Sequence, residues 1–156
     1  MAFETAKKYL EEKGFADRIE EFEVSSATVE LAALAVGCEP AHIAKTLSFL
    51  VDGEPVLIVT AGDVKIDNHK YKETFHVKAK MLSPEEVVAF VGHAVGGVCP
   101  FGVKEGVRIC LDESLKRFDV VYPACGSANS AVRLSVEELA ACCGDAAWVD
   151  VCRERG

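Results

Sequence analysis

The sequence predicts a mixed α/β fold, and three observations carry that expectation. Apolar, β-branched runs interleave with segments of helical period along the chain. Two of those runs, IAKTLSFLV and EPVLIVTAG within 43–62, meet around Asp52-Gly53, a pair that favours a tight hairpin turn. Joining strands by hairpins implies a mixed sheet and not a parallel, doubly wound one. Length and composition agree. The chain has 156 residues, 50% hydrophobic and 27% charged, which suits one domain over 1–156 that buries roughly 70% of its unfolded surface.

Each element has its own signal. Residues 3–13 place Phe3, Ala6, Lys7 and Leu10 at helical spacing, with Gly14 as the C-terminal cap. RIEEFEV (18–24) alternates imperfectly and reads as a strand. In SSATVELAALAVG, Val29, Ala32, Ala33 and Val36 follow the i, i+3, i+4, i+7 pattern of a helix closed by Gly37. Pro40 then starts a short turn into the hairpin. A helix is expected from Asp67 and a short strand at Val77 to Lys80. Ser83-Pro84-Glu85-Glu86 is a capping box with proline at the first helical position, so 84–91 is helical and stops at Gly92. Strands at 107–112 and 119–123 follow the loop AVGGVCPFG. A second capping box, Ser135 to Glu138, opens a final helix through about Cys142.

Composition narrows the function. The best apolar candidates, Leu31 to Val36 and Val56 to Val59, fall far short of the roughly 18 residues of a membrane helix. The charged, amphipathic start MAFETAKKYLEEKGF lacks the apolar region of a signal peptide, so a soluble, cytoplasmic protein is expected. Seventeen basic against 25 acidic side chains give −8, which disfavours nonspecific nucleic-acid binding through a basic surface. One stretch runs the other way. VKIDNHKYKETFHVKAK (64–80) holds five lysines against two acidic residues, plus His69 and His76. It is either a solvated face or a small phosphate-contacting patch.

The seven cysteines are odd in number and form no CxxC pair, so neither a disulfide framework nor a zinc ribbon is expected. Cys110, in a strand pattern, reads as a small buried hydrophobe. The chain has no GxSxG elbow, P-loop, GxGxxG or HExxH, and its four histidines are scattered. No metal or other cofactor is expected.

Two features stand out against this background. Lys45 lies within an apolar strand and, on strict alternation, shares a face with Ile43, Leu47 and Phe49. A lysine there is costly to desolvate unless it is paired, opens into a cavity, or snorkels to water at the strand end. The second is Gly96-Gly97-Val98-Cys99-Pro100-Phe101-Gly102. Paired glycines let a backbone approach a ligand and present N–H groups, or simply make a tight connection.

Together with VTAGD, LDESL and VVYPACGSAN, these segments run in the order of the YbaK/EbsC family, which the chain resembles from about Ala27 to Leu139. That family includes free-standing and synthetase-linked trans-editing deacylases associated with prolyl-tRNA synthetase. The resemblance implies an α/β domain with a mixed, barrel-like sheet flanked by helices. It implies hydrolysis, without metal, of the ester of a mischarged aminoacyl-tRNA, with the acceptor end of the tRNA and prolyl-tRNA synthetase as partners. Neither a membrane nor DNA is an expected partner. By the same resemblance, Lys45 orients the terminal adenosine or aminoacyl ester, and the backbone from Gly96 through Gly97, Val98 and Cys99 to Pro100 contacts the aminoacyl group. Lys45 and Gly96 are the expected catalytic positions. Gly126, Ser127 and Asn129 resemble a second glycine turn that walls the pocket. Thr46 is a further binding candidate, although an ideal strand points it to the face opposite Lys45. Cys99 stands where members commonly carry serine, and Ala124 and Cys125 occupy a turn in which some carry serine. Two rival readings remain: a catalytically silent tRNA- or synthetase-binding module, and a Cys99-dependent hydrolase of small esters or thioesters.

Overall fold

The computed structural model describes residues 2–144 and 146–154; Met1, Asp145, Arg155 and Gly156 of the expected 1–156 domain lie outside the described residues. From the N-terminus, α1 (Ala2–Lys13) leads into β1 (Ile19–Glu21) and α2 (Val29–Val36). Next come β2 (Ile43–Val51), β3 (Glu54–Ala61), β4 (Val64–Ile66), α3 (Asn68–Phe75) and α4 (Pro84–Phe90). The order ends with β5 (Arg108–Asp112), β6 (Val120–Pro123), β7 (Ser130–Val132), β8 (Leu134–Ser135), α5 (Val136–Cys142), β9 (Ala147–Val149) and β10 (Cys152–Glu154).

Six strands form the main sheet in the order β8-β6-β2-β3-β5-β9, a curled, half-barrel arrangement with helices around it. The hairpin at its centre forms as expected. Asp52 and Gly53 both have positive φ, 51° and 80°, so a two-residue turn sets Val51 opposite Glu54 and fixes the register to Ala44 opposite Ala61. β6 joins β2, and β5 joins β3, in parallel, which makes the sheet mixed. β1 pairs with β7, and β4 with β10, as separate two-stranded ribbons.

Both faces of the sheet are buried, and adjacent residues divide between them. Val59 and Leu111 pack with Ala6 and Leu10 of α1 and Leu139 and Cys142 of α5. Ile58 and Cys110 pack instead with Tyr71 and Phe75 of α3, Phe49 and Val64. The two-residue period of the strands produces this division. Each fully buried large aliphatic contributes roughly 1.5–3 kcal/mol. Caps define the helices. Thr28 accepts a hydrogen bond from the Leu31 N–H, and both capping boxes, Ser83/Glu86 and Ser135/Glu138, are complete in both directions. All seven cysteines are free thiols, six of them buried and Cys38 half-buried. Among the described residues no helix is long and apolar enough to cross a membrane.

Two expected elements differ. The strand of 18–24 is reduced to Ile19–Glu21, because the N–H groups of Phe22 and Ser26 bond to the carbonyls of Asn129 and Ala128 and draw the chain along that loop. The strand expected at Val77 to Lys80 is only a bridge between Phe49 and Met81. Its segment touches β2 through Leu50 N–H to Lys80 O (2.8 Å) and Leu82 N–H to Ser48 O (3.1 Å) before the Ser83 cap turns it into α4.

Candidate functional site: a cavity on the open edge of the central strand

In the β2–β3 ladder, the pairs Val51–Glu54, Phe49–Val56, Leu47–Ile58 and Lys45–Thr60 lie on one alternation, so the main-chain groups of the even residues turn to the other edge. There Ala44 pairs with Pro123 of β6, and Ser48 accepts from Leu82. Between them, at Lys45 to Leu47, β2 has no strand partner on that edge among the described residues. A cavity of about 300 Å³ occupies this gap.

The cavity wraps the open edge and so collects side chains from both faces of β2. Lys45, Thr46 and Ser48 all line it. The expected separation of Lys45 and Thr46 onto opposite faces therefore does not keep them apart. The lysine is half-buried and its ammonium donates to the Val64 carbonyl, which steers it along β4. The opposite wall is the entry to α2, comprising Ser26, Ala27, Thr28 and Val29. The helix N-terminus adds partial positive charge to the cavity wall. Gly96 and Val98 of the glycine loop, and Tyr122, Ala124 and Ser130, also line the cavity. Met81 and Val95, 56% and 64% exposed, stand at the mouth.

Two hydroxyls are informative. Thr46 Oγ1 and Ser26 Oγ are both buried, and neither has a hydrogen-bond partner. Both belong to residues that line the cavity. Buried polar groups are nearly always paired, so these two are poised for a polar ligand. The lining includes no Cys, His, Asp or Glu side chain. It offers an ammonium, hydroxyls and strand-edge amides, which stabilise negative charge developing on an oxygen.

The remaining candidate residues support this wall from behind. Gly97 does not line the cavity; a Cβ there would lie 2.6 Å from the Ser127 nitrogen and 2.8 Å from the Gly126 carbonyl carbon. The two glycine turns thus pack backbone on backbone. Gly96 has φ +96°, a conformation that side chains disfavour. Ser127 shares a 2.6 Å hydrogen bond with the hydroxyl of Ser130, a cavity residue. Asn129 brackets the chain at Phe22 through its side-chain NH₂ (3.0 Å) and its carbonyl (2.8 Å). Pro100 is buried beside Phe101.

Cys99 lies in the core rather than on the cavity wall, packed in the cluster that holds Cys125, Cys143 and Phe101. Burial raises its thiol pKa well above the ordinary value. Sequence spacing assigned this thiol no histidine, yet His93 Nε2 lies 3.6 Å from its sulfur. The same Nε2 is 2.8 Å from the Phe101 carbonyl, which can only accept, so Nε2 carries the proton. The basic lone pair is then on Nδ1, which has no partner. Burial lowers the His93 pKa. His93 is the residue that sequence reasoning missed. A separation of six positions within a loop fits neither a helical nor a strand period and leaves no signal.

A family model described as an aminoacyl-tRNA editing domain matches residues 23–142. The uncharacterized protein YwhH of Bacillus subtilis (strain 168) is 53% identical over 137 residues, 87% of this chain and 87% of its own length. The proline--tRNA ligase of Leuconostoc citreum (strain KM20) is 31% identical over 101 residues, 64% of this chain but only 17% of the ligase. Among solved structures, one described as a candidate trans-editing enzyme for prolyl tRNA synthetase has a TM-score of 0.87 at 30% identity, covering 99% of this chain and 98% of that one.

Proposed function

Because this chain belongs to the aminoacyl-tRNA editing domain family, we propose that it is a deacylase of mischarged aminoacyl-tRNA, acting in trans on tRNA charged by prolyl-tRNA synthetase. The reading extends over the whole chain as a single editing domain. The observation that carries it is the cavity on the open edge of β2, lined by Lys45 and by Thr46 and Ser26, whose buried hydroxyls have no partner. The 3′ aminoacyl ester enters past Met81 and Val95. Lys45 then faces the ester and its sugar, and offsets the charge that develops as the carbonyl becomes tetrahedral. The hydroxyls of Thr46 and Ser26, with the backbone at Gly96 and Val98, hold the aminoacyl group. Gly97, Cys99, Pro100, Gly126, Ser127 and Asn129 keep that backbone in place.

The chemistry is metal-free in this reading, since no group of three potential ligand side chains gathers among the described residues. Water is the nucleophile, because the cavity lining supplies no thiol or imidazole.

The test is a panel of mischarged tRNAs, each assayed for release of the amino acid by the wild-type chain and by Lys45→Ala. Faster hydrolysis of at least one member, lost in the variant, supports the reading. Tight binding without hydrolysis of any member would assign the chain to a silent binding module instead.

A further inference from the structure

The basic stretch 64–80 folds around a second hollow, separate from the cavity, of about 430 Å³. Asn68, His69 and Lys72 of α3 line one side of it, and Lys78 and Ala79 the other. His69 and Lys72 share a helix face at i, i+3. No acidic side chain lines the hollow. Its neighbours account for the rest of the local charge. Lys70 is drawn away to Asp150 (3.0 Å) and the Cys152 carbonyl (2.9 Å), and Glu73 takes His69 in an i, i+4 pair at 2.8 Å. Lys72 and Lys78 are exposed and have no ion-pair partner among the described residues.

We propose that this hollow binds phosphodiester oxygens of the substrate RNA, next to its esterified end, with Lys72 and Lys78 as the contacting cations. The inference rests on the deacylase reading and extends its site beyond the cavity. Continuity supports it. Ala79 lines the hollow and Met81 the cavity mouth, so along this segment the two are at most about 7 Å apart. A nucleic-acid strand carries a phosphate roughly every 3.4 Å of rise, so one or two nucleotides span that interval. Electrostatics supports it as well. The chain's net −8 repels RNA at long range, but charges beyond about 8 Å are largely screened at physiological salt. A strand reaching the cavity mouth therefore responds to the lysines beside it.

The test separates the hollow from the cavity. Binding of an unesterified RNA hairpin with a single-stranded 3′ end is measured by fluorescence anisotropy across a salt series. The proteins are wild type, Lys72→Gln/Lys78→Gln, and an equal-charge control, Lys8→Gln/Lys13→Gln on α1. The proposal expects the first double variant to bind roughly tenfold more weakly at 0.1 M salt. Its log–log salt slope should be shallower by about 1.4, since each phosphate left without its lysine removes ~0.7. The control keeps the wild-type slope. Equal slopes in all three proteins, or an equal loss in the control, would overturn it. A parallel assay on a 3′-aminoacyl adenosine, which has no phosphate, expects an unchanged rate in Lys72→Gln/Lys78→Gln; an equal fall there would make the lysines structural and overturn the proposal too. If wild type hydrolyses no ester, the deacylase reading fails, and the hairpin titration still decides the hollow.

Discussion

The Arg117 guanidinium holds both carboxylate oxygens of Asp63, at 2.6 and 3.0 Å. Asp63 immediately precedes Val64, whose carbonyl receives the Lys45 ammonium. The 3₁₀ turn that carries Arg117, Glu113–Arg117, is fastened next door as well, where the Ala61 N–H donates to Ser114 Oγ (3.1 Å). Lys45 is thus aimed by a turn that is itself clamped from outside the cavity. Arg117 is a positioning residue. Arg117→Ala is expected to lower kcat about tenfold with little change in KM, and Arg117→Lys to restore only part of it, because an ammonium cannot make the two-pronged contact. A fall in thermal stability without a change in kcat would show the clamp to be structural only.

The same pair gives a pH signature. Hydrogen bonding from Arg117 is the main reason that the Asp63 carboxyl is held below its ordinary value of 3.8, and Arg18 does the same for Glu138. The unfolded chain therefore binds protons at a higher pH than the folded one. The stabilisation is complete above the ordinary carboxylate range and is lost as pH falls through the lower folded values. Thermal midpoints should be flat from about pH 8 to 7, fall as pH drops below 6.5, where the unfolded chain protonates His93 and the fold keeps it neutral, and drop further below about pH 4. The pair is partly exposed, so its loss in Arg117→Ala costs at most about 1 kcal/mol at neutral pH.

Lys45→Ala should reduce deacylation by roughly 10²–10³ while leaving the circular dichroism spectrum intact. Removing a half-buried cation relieves desolvation, so stability should change little. Retention of more than about a tenth of the wild-type rate would be too small a loss for a main electrostatic stabiliser and would refute the assignment.

Gly97→Ala should be more damaging than its distance from the ester suggests. Its Cβ would press on the backbone at Gly126-Ser127, which cannot swing away as a flexible side chain would. Overpacking of this kind costs roughly 1–3 kcal/mol. It would separate the two turns that present Gly96 and Ser130 to the cavity. A lowered melting temperature together with a large loss of kcat/KM is expected; wild-type values for both would contradict the packing argument.

Cys99→Ser should remain active. The hydroxyl fits the same space and can bond to His93 or to the Phe101 carbonyl, the present neighbours of the sulfur. Native alkylation followed by peptide mass mapping provides the direct test. The thiol is fully buried and its pKa is raised, so modification should appear at half-buried Cys38 and not at Cys99. A substrate adduct on Cys99, or a Cys99→Ser variant as inactive as Lys45→Ala, would transfer the chemistry to the thiol.

Local chemistry made much of this fold legible in advance. The Asp52-Gly53 turn, the Gly37 cap and both capping boxes are where residue type and backbone geometry required them. The three-residue strands β4, β7, β9 and β10 were not legible, because three residues show no period and these form only where a distant partner exists. Lys45 was conspicuous because it breaks an apolar run. Ser26 was not: its importance lies in a hydroxyl with no partner, a property that exists only once its surroundings are assembled.

The parallel contact of Ile43 with Tyr122 joins positions roughly eighty residues apart, beside the gap in which the cavity lies. Bringing them together costs loop-closure entropy before any packing compensates. Such non-local pairings place a chain among the slower two-state folders, in the millisecond-to-second range. The pocket walls come from four separate stretches, near residues 26–32, 43–48, 81–98 and 122–131. No nascent hairpin or early helix can hold a substrate alone. Affinity for the ester should therefore develop together with the single refolding phase, and a bound ester analogue should slow unfolding rather than hasten folding.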